Sequence, residues 1–231
     1  MLNLDIKELI TANVHLGHYT NEWSPFIKPY IYSKKKGFHI INLHKTISNL
    51  KLYCNLIKDI VASGKKILFI ATKKQAKFIV EDISKKHNMP YITERWLGGL
   101  LTNFTTFHKS ISKLNSLELE KKTGTYNSLS KKELLILHRL KKKLEENVGS
   151  ISNMNDLPEA IFIVDIVCEN IALKEAKKLK IPIFAIIDTN SDPRKVDFPI
   201  PANDDSSKSI EIIFHYINNS LSDGLKLRKN V

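Results

Sequence analysis

Six aspartates, Asp165, Asp188, Asp192, Asp197, Asp204 and Asp205, crowd the last third of this chain, at or just beyond the C-terminal ends of apolar runs. Ligand sites of open α/β sheets lie at such strand ends, and grouped carboxylates can hold magnesium for phosphoryl chemistry. No general base, nucleophile or glycine-rich phosphate loop stands beside them. Helix capping, turn formation and pairing with basic side chains account for each aspartate separately, so no catalysis is expected. His15 and His18 lie three residues apart, but no further His or Cys stands at a ligand spacing. A structural cation remains the lesser alternative, and neither a metal nor a cofactor is assigned.

The stronger chemistry is cationic. The 231 residues carry a net charge of +12, divided unevenly. Residues 1–150 hold 26 Lys and Arg against 12 Asp and Glu, residues 151–223 hold 7 against 12, and the remaining tail adds three more cations. A basic first two-thirds joined to an acidic remainder predicts one surface turned toward a polyanion and one toward solvent or protein. Lysine outnumbers arginine 32 to 4, which draws attention to Arg95 and Arg139, because a lysine cannot reproduce the guanidinium fork. The positions read as facing phosphate are Lys34, Lys35 and Lys36 in a charged loop, Lys73 and Lys74 where a strand meets a helix N-terminus, Arg95 and Asn103 at either end of the central stretch, and Lys109, Lys131, Lys132 and Arg139 further on.

That central stretch is Thr93-Glu94-Arg95-Trp96-Leu97-Gly98-Gly99-Leu100-Leu101-Thr102-Asn103. Its adjacent glycines permit a sharp turn or a close backbone approach. Arg95 suits either a phosphate or an internal ion pair with Glu94 or a later Asp, and for Trp96 burial is favoured over stacking on a ligand.

The elements that must position these residues follow from periodicity. Residues 6–14 read as a short amphipathic helix, and residues 23–32, with two prolines, as an extended segment. Apolar runs at 38–43, 67–71, 90–92, 160–164 and 182–187 read as strands; helical spacing covers 44–62, 75–88, 169–179 and a last helix from the Asp204-Asp205-Ser206-Ser207 cap to about residue 221. Alternating strands and helices imply a parallel sheet sandwiched by helices. The rhythm breaks after Asn103: Phe104, Phe107, Ile111 and Leu114, then Leu137, Leu140, Leu144 and Val148, recur at three- and four-residue steps around a polar turn at 123–129, with a capping box starting at Ser130. This predicts an antiparallel α-helical hairpin, 104–149, inserted into a single α/β domain made of 1–103 and 150–223, with 224–231 as a short basic tail. Isolated Cys54 and Cys168, the acid-containing amphipathic start and the lack of a long apolar run predict a cytosolic chain that neither carries a targeting peptide nor enters a membrane.

Several segments resemble a known family. Leu9-Ile10-Thr11-Ala12-Asn13-Val14-His15-Leu16-Gly17-His18, Trp23-Ser24-Pro25, Gly37-Phe38-His39-Ile40-Ile41-Asn42-Leu43, Thr72-Lys73-Lys74-Gln75-Ala76, the 93–103 stretch, Leu157-Pro158-Glu159-Ala160, Glu175-Ala176, Asp188-Thr189-Asn190-Ser191-Asp192-Pro193 and Ile200-Pro201-Ala202-Asn203-Asp204-Asp205 are similar, in order, to the bacterial form of ribosomal protein two of the small subunit. The resemblance covers residues 9–210. It implies a non-catalytic protein of the cytoplasmic small ribosomal subunit, bacterial or organelle-encoded, that binds small-subunit ribosomal RNA through a basic surface. It also implies contacts with neighbouring ribosomal proteins, including help in seating the large flexible first protein of that subunit. Asn21 and Glu22 depart from the basic residues usual before the tryptophan, and the short tail after Leu221 leaves the contacts of longer tails unassigned. A magnesium-dependent phosphotransfer or nucleotide-binding enzyme is the alternative reading, and a scaffold whose hairpin binds another protein is the third.

Overall fold

A computed structural model describes residues 5–122, 131–152, 154 and 156–229. The predicted turn at 123–129 and the Ser130 cap lie outside them. Five short strands, β4 (Ile67–Ile70), β5 (Tyr91–Ile92), β6 (Ala160–Val164), β7 (Ile183–Ile187) and β8 (Phe198–Pro201), form one sheet in the order β5-β4-β6-β7-β8, every pair parallel. β4, β6 and β7 have no exposed residue, as expected of strands covered on both faces. Alternation then sends Phe69, Phe162, Phe184 and Ile186 to one core and Leu68, Ile70, Ile161, Ile163 and Ala185 to the other. Each large apolar side chain so buried contributes about 1.5–3 kcal/mol relative to exposure.

The first core is closed by α2 (Leu43–Ala62), α3 (Lys74–Lys86) and α7 (Ser207–Lys229), the second by α6 (Asn170–Lys178) and by the roots of α4 (Phe104–Lys122) and α5 (Lys131–Val148). Ile111, Leu114 and Val148 belong to that second core, so the beginning of α4 and the end of α5 meet there and the two helices run antiparallel. Farther out, Leu119, Leu135 and Ile136 are exposed. α4 and α5 thus pack on the body at this end, a point that helical spacing alone does not decide. No helix among the described residues is long and apolar enough to cross a membrane.

A second, antiparallel sheet of β1 (Leu16–Tyr19), β3 (Phe38–Ile41) and β2 (Ile31–Lys35) follows the short N-terminal helix α1 (Ile6–Thr11). α1 stops at Thr11 and does not reach Val14, and Lys34 and Lys35 belong to β2, not to a loop; two larger expectations also need correction. Residues Pro25–Tyr30 form a 3-10 helix, because proline fixes the required φ and the first position needs no N–H donor; Ile27 N reaches Ser24 O at 3.1 Å. The last helix does not stop near Leu221 but runs to Lys229. Gly224 carries it past α2, where an added Cβ would lie 2.7 Å from Lys58 O and 2.9 Å from Val61 Cβ.

Candidate nucleic-acid interface

The strand order reverses direction between β4 and β6, and the crevice beyond their C-terminal ends is where such a sheet would take a ligand. Here the chain fills it with its own charges. Lys73, directly after β4, places Nζ 2.6 Å from Asp204 Oδ1, 2.8 Å from Asp205 Oδ1 and 2.9 Å from Asp165 Oδ2. Its side chain is 15% exposed, so it does not face outward as the sequence reading assumed. Three carboxylates hold it in, and although burial lowers its pKa, Asp204, Asp205 and Asp165 together raise it above the ordinary lysine value. Just ahead of α3, Glu169 Oε1 accepts from Thr72 N at 3.1 Å and Thr72 Oγ1 at 2.5 Å. Burial raises the Glu169 pKa.

His18 joins the same cluster from the small sheet, with Nδ1 3.2 Å from Asp188 Oδ2 and Nε2 3.4 Å from Asp205 Oδ2. The Asp188 hydrogen bond, partly opposed by burial and helped by the charges of Asp188, Asp204 and Asp205, raises its pKa to about 9. Asp204 is fully buried, and Oδ2 has no hydrogen-bond partner among the described residues. Burial first, then repulsion from Asp188 and Asp165, pushes its pKa to about 7 against the pull of Lys73. One ligand atom each from His18, Asp188, Asp204 and Asp205 lie within 4.8 Å of one another, a donor set able to hold a divalent cation once His18 gives up its proton.

The six aspartates therefore divide. Asp165, Asp188, Asp204 and Asp205 converge on this cluster; Asp192 accepts from Arg194, and Asp197 Oδ2 accepts from Ile183 N at 2.9 Å. Asp204 and Asp205 are not the caps of α7 either. Asn203 Oδ1 accepts from Asp205 N and Ser206 N, and Ser206 Oγ accepts from Ser209 N.

The central stretch is organised by a residue given no role in the sequence reading. Glu175, on α6 and 8% exposed, accepts at Oε1 from Gly99 N at 2.7 Å and Trp96 Nε1 at 3.1 Å. At Oε2 it accepts from Leu101 N at 3.0 Å, Thr102 N at 3.2 Å and Thr102 Oγ1 at 3.4 Å. Burial would raise its pKa, but the bonds from Gly99, Trp96, Thr102 and Leu101 outweigh that and lower it. Gly99 at φ 87° makes the turn around this carboxylate possible. Trp96 is buried, as favoured from sequence.

Arg95 points the other way, into a groove of about 820 Å³ with Glu81, Glu94 and Glu145. Each of those acids has its own lysine: Lys85 at 2.6 Å from Glu81, Lys77 on Glu94, and Lys141 at 3.2 Å from Glu145. Arg95 is exposed and has no ion-pair partner among the described residues. Lys34, Lys35 and Lys36 are exposed on β2 and the turn after it, Lys74 on α3, Lys109 on α4, and Lys131, Lys132 and Arg139 on α5. Asn103 is exposed as well, and its Oδ1 accepts from Thr106 Oγ1 at the start of α4. Apart from Lys73, the sequence-predicted set is thus outward-facing, spread over both sheets and the hairpin.

Comparison with known proteins is consistent along the whole chain. A family model described as ribosomal protein S2 matches residues 9–224. Small ribosomal subunit protein uS2 of Flavobacterium johnsoniae is 56% identical over 225 residues, covering 97% of this chain and 89% of that protein. The protein of the same name from Karelsulcia muelleri is 56% identical over 217 residues, 94% and 98% of the two chains. That of Phocaeicola vulgatus is 47% identical over 229 residues, 99% and 82%.

Proposed function

Since this chain belongs to the ribosomal protein S2 family, structural proteins of the small ribosomal subunit and not enzymes, we propose that it binds small-subunit ribosomal RNA through its exposed cations and helps to seat neighbouring ribosomal proteins. The observation that carries the reading is the separation of two kinds of charge. Lys73 and His18 are spent inside the sheet crevice, whereas Lys34, Lys35, Lys36, Lys74, Arg95, Lys109, Lys131, Lys132 and Arg139 stay in solvent. Cations of the second kind can neutralise phosphates without breaking the fold, positioning the protein by charge and RNA shape more than by base sequence. In this reading residues 1–103 and 150–223 form the body, 104–149 is the inserted arm, and 224–231 is the short basic tail, of which 224–229 are the last turns of α7. Partners include the neighbouring small-subunit proteins, the large flexible first protein among them.

Arg95→Lys supplies the test. Charge is kept but the fork is lost, so affinity for small-subunit ribosomal RNA falls while the melting temperature holds. Loss of stability with normal RNA binding would remove Arg95 from the interface. Failure of the tagged protein to comigrate with the small subunit in a lysate gradient would overturn the whole reading.

A further inference from the structure

We propose that the depression between the Pro25–Tyr30 and Pro193–Lys195 turns holds an unpaired nucleotide of the bound RNA, its base stacked on a platform made by Phe26 and Arg194. This rests on the RNA-binding reading above and adds a place where a base, not only a phosphate, is held. The depression has a volume of about 800 Å³ and is lined by Pro25, Phe26, Lys28, Pro29, Tyr30, Pro193 and Arg194. Two cations, two aromatic rings and three prolines make up that lining, and the carboxylate beside it, Asp192, is engaged by Arg194. Three other grooves each carry at least one carboxylate: Glu81, Glu94 and Glu145 around Arg95, Glu8 and Glu211 between α1 and α7, and Asp197 beside β7. Lys28, exposed and in no ion pair among the described residues, therefore favours a phosphate here, and the rings favour a planar, unpaired base.

The platform is held rigid from below. Buried Ile27 anchors the first turn and buried Pro193 the second. Asp192 accepts from Arg194 N at 3.1 Å and grips the guanidinium by two further bonds, Nε to Oδ1 and Nη2 to Oδ2, both at 3.1 Å. The guanidinium carbon is thereby set 3.1 Å from the centroid of the Phe26 ring. Phe26 is nevertheless 46% exposed and the Arg194 side chain 61% exposed, so the stacked pair faces solvent and closes no core. Arg194 keeps N–H donors that Asp192 does not use. Lys28 stands exposed on the rim, and Lys45 lies 5.5 Å over the Tyr30 ring while donating to Pro29 O. Both are placed to meet the phosphates flanking a seated base.

The test is fluorescence anisotropy with the full chain and two labelled probes, an oligoadenylate of about ten nucleotides and an abasic phosphodiester of the same length. Phe26→Ala is expected to weaken oligoadenylate binding about tenfold and to leave the abasic probe unchanged, and Phe26→Trp to restore the loss. Arg194→Lys, which keeps the charge and loses the plane, should weaken only the base-bearing probe. Because Phe26 is half exposed, its melting temperature should stay at the wild-type value, which keeps the comparison clean. Equal loss on both probes, or no loss on either, refutes the base site. So does a Phe26→Ala protein that binds oligoadenylate normally but no longer retains a neighbouring small-subunit protein, since that would make the depression a protein-docking site. A wild-type chain that fails to bind small-subunit ribosomal RNA would remove the RNA-binding reading itself, whereas normal ribosomal RNA binding with an unaffected Phe26→Ala removes only this inference.

Discussion

Replacing Glu175 by Gln changes little in volume and removes one acceptor oxygen. Whichever oxygen becomes an NH₂ group, at least two donors lose their acceptor: Gly99 N and Trp96 Nε1 on one side, Leu101 N and Thr102 N on the other. In each pair one donor is buried, Trp96 Nε1 or Leu101 N, and the other, Gly99 N or Thr102 N, is only partly so. A buried donor left unsatisfied costs about 1–3 kcal/mol, so the substitution should cost about 1–3 kcal/mol, a sizeable share of the ~5–15 kcal/mol available to a typical fold. At about 2–4 °C per kcal/mol for a chain of this size, a mid-range loss of ~2 kcal/mol lowers the melting temperature by about 4–8 °C. Hydrogen exchange should locate the damage, with the amides of Gly99, Leu101 and Thr102 losing protection while those of β6 and β7 keep theirs. The pH profile adds a second readout. The pKa of Glu175 is lower in the fold than in the unfolded chain, so its stabilisation is complete above the unfolded value of about 4.3 and is lost as pH falls through the lower folded value. The wild type should therefore lose stability on acidification over that window more steeply than Glu175→Gln. A variant that melts within a degree of wild type, with the loop amides still protected, would refute this account of the central stretch.

Lys73→Met removes the cation shared by Asp165, Asp204 and Asp205; thermal denaturation should show a loss of about 3–5 kcal/mol, while the salt slope of RNA binding is unchanged. In chelator-treated protein the elevated His18 pKa contributes stability that is fully present below about 6.5 and lost as pH rises through about 9, so the melting temperature should fall over that range and His18→Gln should flatten the decline. If about six phosphates are neutralised, a plot of log affinity against log salt should have a slope near −5, and a flat plot would contradict a phosphate-dominated interface. Gly224→Ala should lower the melting temperature by forcing α2 and α7 apart, since its Cβ would meet Lys58 O at 2.7 Å; calorimetry of the variant checks it.

The parallel sheet was readable because strands buried on both faces are short, wholly apolar runs closed by proline, glycine or a charged turn, and the α4 seam because Phe104, Phe107, Ile111 and Leu114 keep helical steps. What escaped was the side chains whose partners are distant in sequence. Nothing local distinguishes Lys73 from Lys74, yet one is clasped by Asp204 from 131 residues away and the other is exposed. Glu175 sits between Lys174 and Lys177 and reads as a surface charge. A signal was present, because steps of three and four place it with Ala172 and Leu179 on the apolar stripe of α6, where an acid needs donors from elsewhere. The 3-10 turn at Pro25–Tyr30 is not legible locally, because two prolines exclude an α-helix yet suit the first position of a tighter turn.

The tie between the small sheet and the end of the chain bears on the order of events during synthesis. His18 N donates to Thr189 Oγ1 at 2.9 Å across 171 residues, Ser24 N to Thr189 O at 2.8 Å, and Asn203 N to Val14 O at 3.1 Å. None of these partners exists until most of the chain has been translated. At about 5–20 residues per second, the segment from Val14 to Ser24 waits on the order of ten seconds or more for its anchors. During that interval the neighbouring lysines at 34–36 have emerged without the body that later orients them. Capture of the nascent protein by RNA before Thr189 appears would therefore engage those lysines in an unanchored state, so ordered assembly favours a partner that arrives after the last quarter of the chain has closed on the first.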